Sequence, residues 1–302
     1  MNHKYILPLI SFLTFNIVKS QTPDDAIRQS YQIPQGTARS MATGGAMGSL
    51  GGDLSAVYVN PAGLGFYRTG EFVISPGFNM INNKFNFRDS ITKQSKNNFV
   101  YGPIGFVFGW SNPYNKNKST AFSLSINQVA SFNNKIHYKG YNNFSSWSEQ
   151  YLEELTKANA DTNAALSNYI FGSSLAFRTY LIDAELQNGN LIGYQSLVPI
   201  TSGVIQENTI DTKGGIHEIS FGLATNQADR WYLGGSINVP IYSYTRTQTY
   251  TETDATLNPN NNFASFQYNE NYSSKGWGLN GKFGVIYKPM DRIRLGLALH
   301  TP

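Results

Sequence analysis

Histidine, serine and carboxylate are the side chains whose chemistry is worth locating first. The sequence holds His3, His137, His217 and His300 and has no cysteine. Without cysteine there is no disulfide, no thiol nucleophile and no thiolate metal ligand. The histidines fall singly, with no H-E-x-x-H or other ligand spacing, so no metal site is expected. No G-x-S-x-G is present to form an esterase elbow. A hydrolase assembled across strands would have to use His217 or His300 as its base, and nothing beside either supports one. Asp24-Asp25 and Glu153-Glu154 are adjacent pairs, which cannot bracket a substrate as a separated acid and base must. The expectation is a protein that is not an enzyme, with no catalytic residue and no cofactor.

Composition points to a different kind of work. Only 14% of the 302 residues are charged, against 40% hydrophobic and 14% aromatic, with 28 Gly, 19 Tyr and 19 Phe. Soluble domains carry roughly 25% charged residues. Gly, Asn, Ser, Thr and Tyr fill the gap, as an all-β protein with one wet face and one aromatic-apolar face requires. The net charge of +4 is too small to support nucleic-acid binding.

Residues 1–20 read as a cleavable signal peptide. Lys4 supplies the positive start, Tyr5 to Val18 the apolar stretch, and Val18 and Ser20 the residues before the cut. The stretch is shorter than the ~20 residues that span a bilayer as a helix. The mature chain is therefore expected to begin at Gln21 and to be exported.

Beyond the leader, strict alternation recurs. Phe72 to Met80, Ile104 to Trp110, Phe122 to Ile126, Ile219 to Leu223, Trp231 to Ile241, Trp277 to Tyr287 and Ile293 to Leu299 each set apolar against small or polar residues. A period of two places the sets on opposite faces of strands. About seven strands are expected, many near the 9–11 residues of tilted membrane strands. The connections read as long at 83–97, 139–213 and 250–266, and short at 112–119, 226–230 and 288–292. Such alternation of long and short is the signature of an up-and-down transmembrane barrel. Tyr101, Trp110, Trp231, Tyr242, Tyr244, Trp277 and Tyr287 near strand ends fit interfacial girdles, or ordinary β propensity.

Residues 36–65 are different in kind, with eight glycines in thirty positions. Small residues at that density permit close backbone approach. Gly45, Gly48 and Gly51 do not make a dinucleotide fingerprint, and no phosphate-binding lysine follows. Asp53 is positioned to cap a short helix through Val57, which Asn60-Pro61 would stop.

The run A-R-S-M-A-T-G-G-A, then D-L-S-A-V-Y-V-N-P-A-G-L, then long alternating strands, resembles the FadL/OmpP1/TodX outer-membrane transporters, in the branch found in Bacteroidetes-type bacteria. The resemblance covers the whole chain. It implies a monomeric antiparallel barrel of 14 strands in the outer membrane, plugged by an N-terminal hatch at 21–66 with Asn60, Pro61, Ala62 and Gly63 as gate residues. It also implies passive uptake of long-chain fatty acids or other hydrophobic compounds, with a lateral opening at a kink in the third strand beside the N-P-A segment. The third strand loses its alternation around Gln128-Val129-Ala130, which fits a kink or a plain bulge. Seven strands are half the implied number, so residues 67–302 are expected to be the N-terminal half of a barrel belonging to a longer protein. Some members of the wider family serve as scaffolds or secretion partners instead, which is the alternative function.

The insertion 139–213 falls on the extracellular side by the parity of the connections. Ser146-x-x-Glu149 is a capping-box pattern, and Trp147, Tyr151, Leu152 and Leu155 share a helical face. A second apolar run holds Tyr169, Ile170, Phe171, Leu175, Phe177 and Tyr180. Trp147, Tyr151, Leu155, Tyr169 and Phe171 are the candidate ligand-binding residues, with packing of a lid over the barrel mouth as the other reading.

Overall fold

The computed structural model describes residues 23–30, 35–112, 114–256 and 258–301. The expected leader, and residues 21–22 and 31–34 of the expected hatch, lie outside the described residues. The described fold is all-β and antiparallel, with short helices confined to the N-terminal segment, beginning with α1 (Pro23–Ser30), and to one insertion.

Its strand segments join end to end into seven long strands. The first is β1 (Glu71–Val73) with β2 (Pro76–Phe87), and the second is β3 (Ser90–Tyr101) with β4 (Ile104–Asn112). The third is β5 (Asn115–Ser131) with β6 (Asn134–Asn142). A small hairpin, β7 (Ile182–Gln187) and β8 (Asn190–Ser196), lies within the insertion. The fourth and fifth strands are β9 (Val204–Gln227) and β10 (Trp231–Asp254), paired along their whole length. The sixth is β11 (Ser265–Trp277) with β12 (Asn280–Met290), both on β10, and the seventh is β13 (Ile293–His300). Each long strand follows its neighbour in sequence, which makes the sheet a meander. β1 and β13 do not pair with each other among the described residues, so the sheet is open.

Several boundaries differ from the sequence reading. Residues 83–97 are not a loop: β2 and β3 pair through them to a tight turn at Arg88 and Asp89, both at positive φ. The apolar set changes face there, from Phe78 and Met80 on the exposed side to Ile81, Phe85 and Phe87 on the half-buried side. β3 is mostly Thr, Lys, Gln, Ser and Asn, so the alternation breaks and backbone pairing decides the strand. The insertion runs over 143–203, not 139–213, because β6 and β9 extend their ladder to Asn142 and Val204. The loop read at 250–266 is shortened in the same way by the β10–β11 ladder, which reaches Thr253 and Ser265.

In the insertion, α4 (Glu149–Lys157), α5 (Thr162–Ser167) and α6 (Ser173–Arg178) enclose a core of Tyr151, Leu155, Ala165, Ile182 and Val204. The capping box is half made. Ser146 N–H donates to Glu149, but the Ser146 hydroxyl turns away to Glu252, and the helix N-cap is Ser148.

Candidate functional site

In-register rows of the sheet separate two unlike faces. One row reads Gly109, Ala121, Ala224, Gly234, Gly284 and Ala298 across six strands. The row beside it, one residue along, reads Phe108, Phe122, Leu223, Gly235, Phe283 and Leu299. The small face is covered. The large face is bare, with Ile237 60%, Leu223 61%, Phe283 66% and Leu297 64% exposed. Exposed apolar side chains on β10 run from Trp231 to Ile241. Ten steps of ~3.3 Å at a tilt of ~40° give about 25 Å of height, the thickness of a membrane barrel's outer band.

What covers the small face is the glycine-rich segment. α2 (Ala38–Ala42), α3 (Ala56–Val59) and a 3-10 turn over Pro61–Phe66 form a compact knot against β5, β9, β10 and β12. Leu54, Val57, Tyr58, Leu64 and Tyr67 are its buried anchors. Ser55, not Asp53, stands at the N-cap position of helix α3, and its side chain makes no capping hydrogen bond. Asp53 instead accepts from Ser55 N–H and from the Thr37 hydroxyl, closing the loop between α2 and α3.

Asn60 is fully buried and its amide is fully used. Nδ2 donates to the carbonyls of Gly48 (2.7 Å), Val285 (3.3 Å) and Leu297 (3.4 Å), while Oδ1 accepts from Ala62 N–H. A side chain at Gly284 would overlap Asn60 Oδ1, and one at Gly296 would overlap the Gly48 carbonyl. Pro61, Ala62 and Gly63 are buried with Asn60, and Pro61 and Ala62 lie against Gly234. The N-P-A segment thus sits at β10, β12 and β13, away from the irregularity in the third strand. The residues that meet that irregularity are Gln35, bonded to Gln128 and Asn127, and Gly36, pressed on Gly102.

Above this knot the inner face is polar. Glu218 and Lys282 form a buried ion pair, with the ammonium 5.5 Å from the centre of the Tyr58 ring, and the Tyr58 hydroxyl shares a hydrogen bond with Ser125. Ser123, Ser220, Ser236 and Asn238 each keep a buried oxygen with no protein partner. Buried oxygens of this kind are ones that an internal water can satisfy.

Among the described residues the ladder of the wall is interrupted between the second and third long strands. β4 pairs with β5, but β3 forms no ladder with β6. The chain bends at Ile74-Ser75 and Gly102-Pro103, and the third strand shows a bulge at Val129 followed by a break at Phe132-Asn133. Side chains bridge the interruption instead: Lys96 reaches Asp211 and the carbonyls of Asn134 and Thr212, Asn83 reaches Asn134 and the Lys135 carbonyl, and Thr92 reaches the His137 carbonyl.

At the far end of the sheet from the short turns, a cavity of about 650 Å³ opens between the insertion and the turn joining β10 to β11. Tyr151, Leu175, Tyr180, Phe263, Phe266 and Tyr268 line much of it. Of the five candidate ligand residues only Tyr151 is among its lining. Trp147 stacks on Tyr250 and donates its indole N–H to the Tyr151 hydroxyl at 3.1 Å, which holds that ring without touching the cavity. Leu155 is fully buried in the insertion core and faces a separate space of about 260 Å³. Tyr169 packs on the same core, and Phe171 is 86% exposed, outside both spaces. Burial pushes the Tyr151 hydroxyl above its usual range; the hydrogen bond from Trp147 opposes this and Glu154 adds to it.

Sequence reasoning missed Glu252, the residue that moors the insertion. Its carboxylate is fully buried and accepts from the Ser146 hydroxyl, Trp147 N–H, Gln206 and the Tyr250 hydroxyl. An acid among the Tyr and Thr residues of β10, two positions before Asp254, was the only sign of it. Of the aromatic residues near strand ends, Trp110, Trp231, Trp277 and Tyr287 are exposed or half-exposed, as a girdle requires, and the others turn to protein partners. Tyr101 turns to His217, Tyr242 packs on Phe132, and Tyr244 is buried. The histidines are not brought together: His137 bonds Thr209, His217 bonds Tyr101, and His300 bonds the Val59 carbonyl. No family model, no curated protein and no solved structure matches this chain.

Proposed function

We propose that this chain forms part of an outer-membrane wall whose interior is plugged by residues 35–67, and that it admits hydrophobic small molecules by passive uptake. The observation that carries the reading is the pairing of faces across the sheet. An exposed apolar band of bilayer height lies outside, and small or polar residues under a packed plug lie inside. In water such a band would be far larger than the few hundred Å² that soluble monomers leave bare. The resemblance to FadL/OmpP1/TodX transporters, drawn from the glycine-rich segment and the strands, implies the same activity.

In this reading the short turns face the periplasm and the insertion is an extracellular lid. A ligand enters at the lid cavity, passes along the polar inner face by Glu218 and Lys282, and leaves sideways where β3 and β6 are not laddered. An open sheet edge is not viable in lipid, so the reading requires β-partners for both β1 and β13.

The test is expression of the full-length gene product in a Gram-negative host, followed by membrane fractionation and uptake of a fluorescent apolar probe. Expected are recovery with the outer membrane, release only by detergent, and faster probe entry than in cells lacking the protein. Recovery in the soluble fraction without detergent sinks the membrane reading. Membrane recovery without any gain in uptake favours the scaffold alternative.

A further inference from the structure

The lid cavity has a chemical bias that the uptake reading does not specify. Its apolar lining comes from Leu175, Leu181, Leu197, Phe263 and Phe266 and the rings of its tyrosines, and its polar lining from Thr179, Asn262, Ser265, Gln267 and Asn269. No lysine, arginine or histidine lines it. The cations of the surrounding elements are engaged elsewhere. Arg178 donates through Nε and Nη2 to the Leu166 carbonyl, Lys157 pairs with Glu153, and Arg246 pairs with Glu270. The remaining charges nearby are acidic. Glu154 takes the Ser173 hydroxyl and bears on Tyr151, and Asp254 anchors the turn that carries Asn258.

A carboxylate brought here would lose its water and gain no counter-ion. Moving an anion into such a site without a partner is strongly unfavourable. A neutral polar group meets the opposite situation, because hydroxyls and amides can satisfy it without any charge. We infer that this cavity is a binding site for an uncharged amphipathic molecule, an apolar or aromatic body with one hydroxyl, carbonyl or amide group, and that it rejects carboxylate-bearing lipids. The inference rests on the uptake reading for its biological meaning but on the cavity lining for its chemistry. It makes a free fatty-acid anion the wrong occupant for this entrance.

A matched pair of water-soluble probes tests this: 2-naphthalenemethanol and 2-naphthoate, equilibrated at pH 7.5 by dialysis against the full-length protein held in detergent-free lipid nanodiscs. Empty nanodiscs correct for partition into lipid. The expected result is at least tenfold tighter binding of the alcohol. Thr179→Arg, which adds a cation at an exposed lining position, should bring naphthoate binding up to or beyond that of the alcohol. Leu175→Trp, which fills a half-exposed part of the lining, should abolish binding of both. Naphthoate binding as tightly as the alcohol to the unaltered protein overturns the inference and leaves the uptake reading standing. Binding of neither probe, or binding unchanged by Leu175→Trp, overturns the cavity as the site. Loss of probe uptake in cells with alcohol binding intact would instead count against the transport reading alone.

Discussion

At the scale of single residues, the burdens fall on side chains that satisfy several backbone groups at once. Asn60 serves three carbonyls and one amide N–H, from the glycine-rich segment and from two strands. Asn60→Ala leaves those buried groups unpaired, at about 1–3 kcal/mol for the principal loss. The expected outcome is a lowered unfolding midpoint, read by the loss of the compact band on unheated gels. Asn60→Asp should be worse, because a carboxylate oxygen would face the Gly48 carbonyl. Asp229 offers a pH-dependent counterpart at the β9–β10 turn. Its partial burial favours the neutral form, but hydrogen bonds from Asn226 and Arg68 outweigh this and hold its carboxyl below the usual range. A folded value below the unfolded one means that the contribution is present above about pH 4, the unfolded carboxylate value. It is lost as pH falls through the lower folded value. The pair is partly exposed, so the loss is under ~1 kcal/mol. Titrating thermal stability from pH 5 to pH 2.5 should show that step in the unaltered protein and not in Asp229→Asn.

At the scale of elements, what the sequence reveals depends on whether one face of an element meets a different medium from the other. Between Phe106 and Trp110, and between Trp231 and Ile241, alternation marks strand and face together, because large apolar side chains outside oppose mostly small or polar ones inside, Gly109, Gly234, Ser236 and Asn238 among them. β2 and β3 beyond Met80 have polar residues on both faces, so their ladder lacks that mark. The same holds for the start of β9 and the end of β10, rich in Thr, Gln and Asn, whose ladders shorten the expected loops. The candidate ligand residues fared as helical-face arguments do. Periodicity found the insertion's core, through Tyr151 and Leu155, but the cavity needs Phe263, Phe266 and Tyr268, from the end of a turn and the start of β11 more than eighty residues away. Pairing across that distance is invisible to local pattern. The interrupted wall carries a prediction of its own. The β2–β3 hairpin is tied to β6 and β9 by side chains rather than a ladder, and Lys96 makes three of those ties. Lys96→Met should leave the β9–β10 pair intact and loosen the hairpin. Hydrogen exchange would show this as faster exchange across residues 90–101 and unchanged protection across 231–241. Equal acceleration in both segments would mean that the hairpin is an integral part of the wall.

At the scale of the whole molecule, the medium outside the sheet decides the sign of an outer-face mutation. Leu223 is 61% exposed and lies in the row of Phe122 and Phe283, midway along the bare band. In a soluble protein, replacing an exposed leucine by arginine stays within about 0.5 kcal/mol and removes a sticky patch. In a bilayer the same change places a cation near the midplane of the hydrocarbon, at about 2–4 kcal/mol for a barrel strand. Leu223→Arg should therefore reduce the yield of detergent-extractable, compact protein in outer-membrane fractions. Ala224 is the next residue along β9 and faces the plug, so Ala224→Ser changes the inner side by a single hydroxyl. That variant should insert normally, since the inner face already holds Ser123, Ser220 and Ser236. The two neighbours on one strand make a paired control for expression and folding. A Leu223→Arg protein that is more soluble and as well folded as the parent would place water, not lipid, against the band. Loss of insertion at Leu223 with none at Ala224 would place the bilayer on the face that the phenylalanines and leucines present.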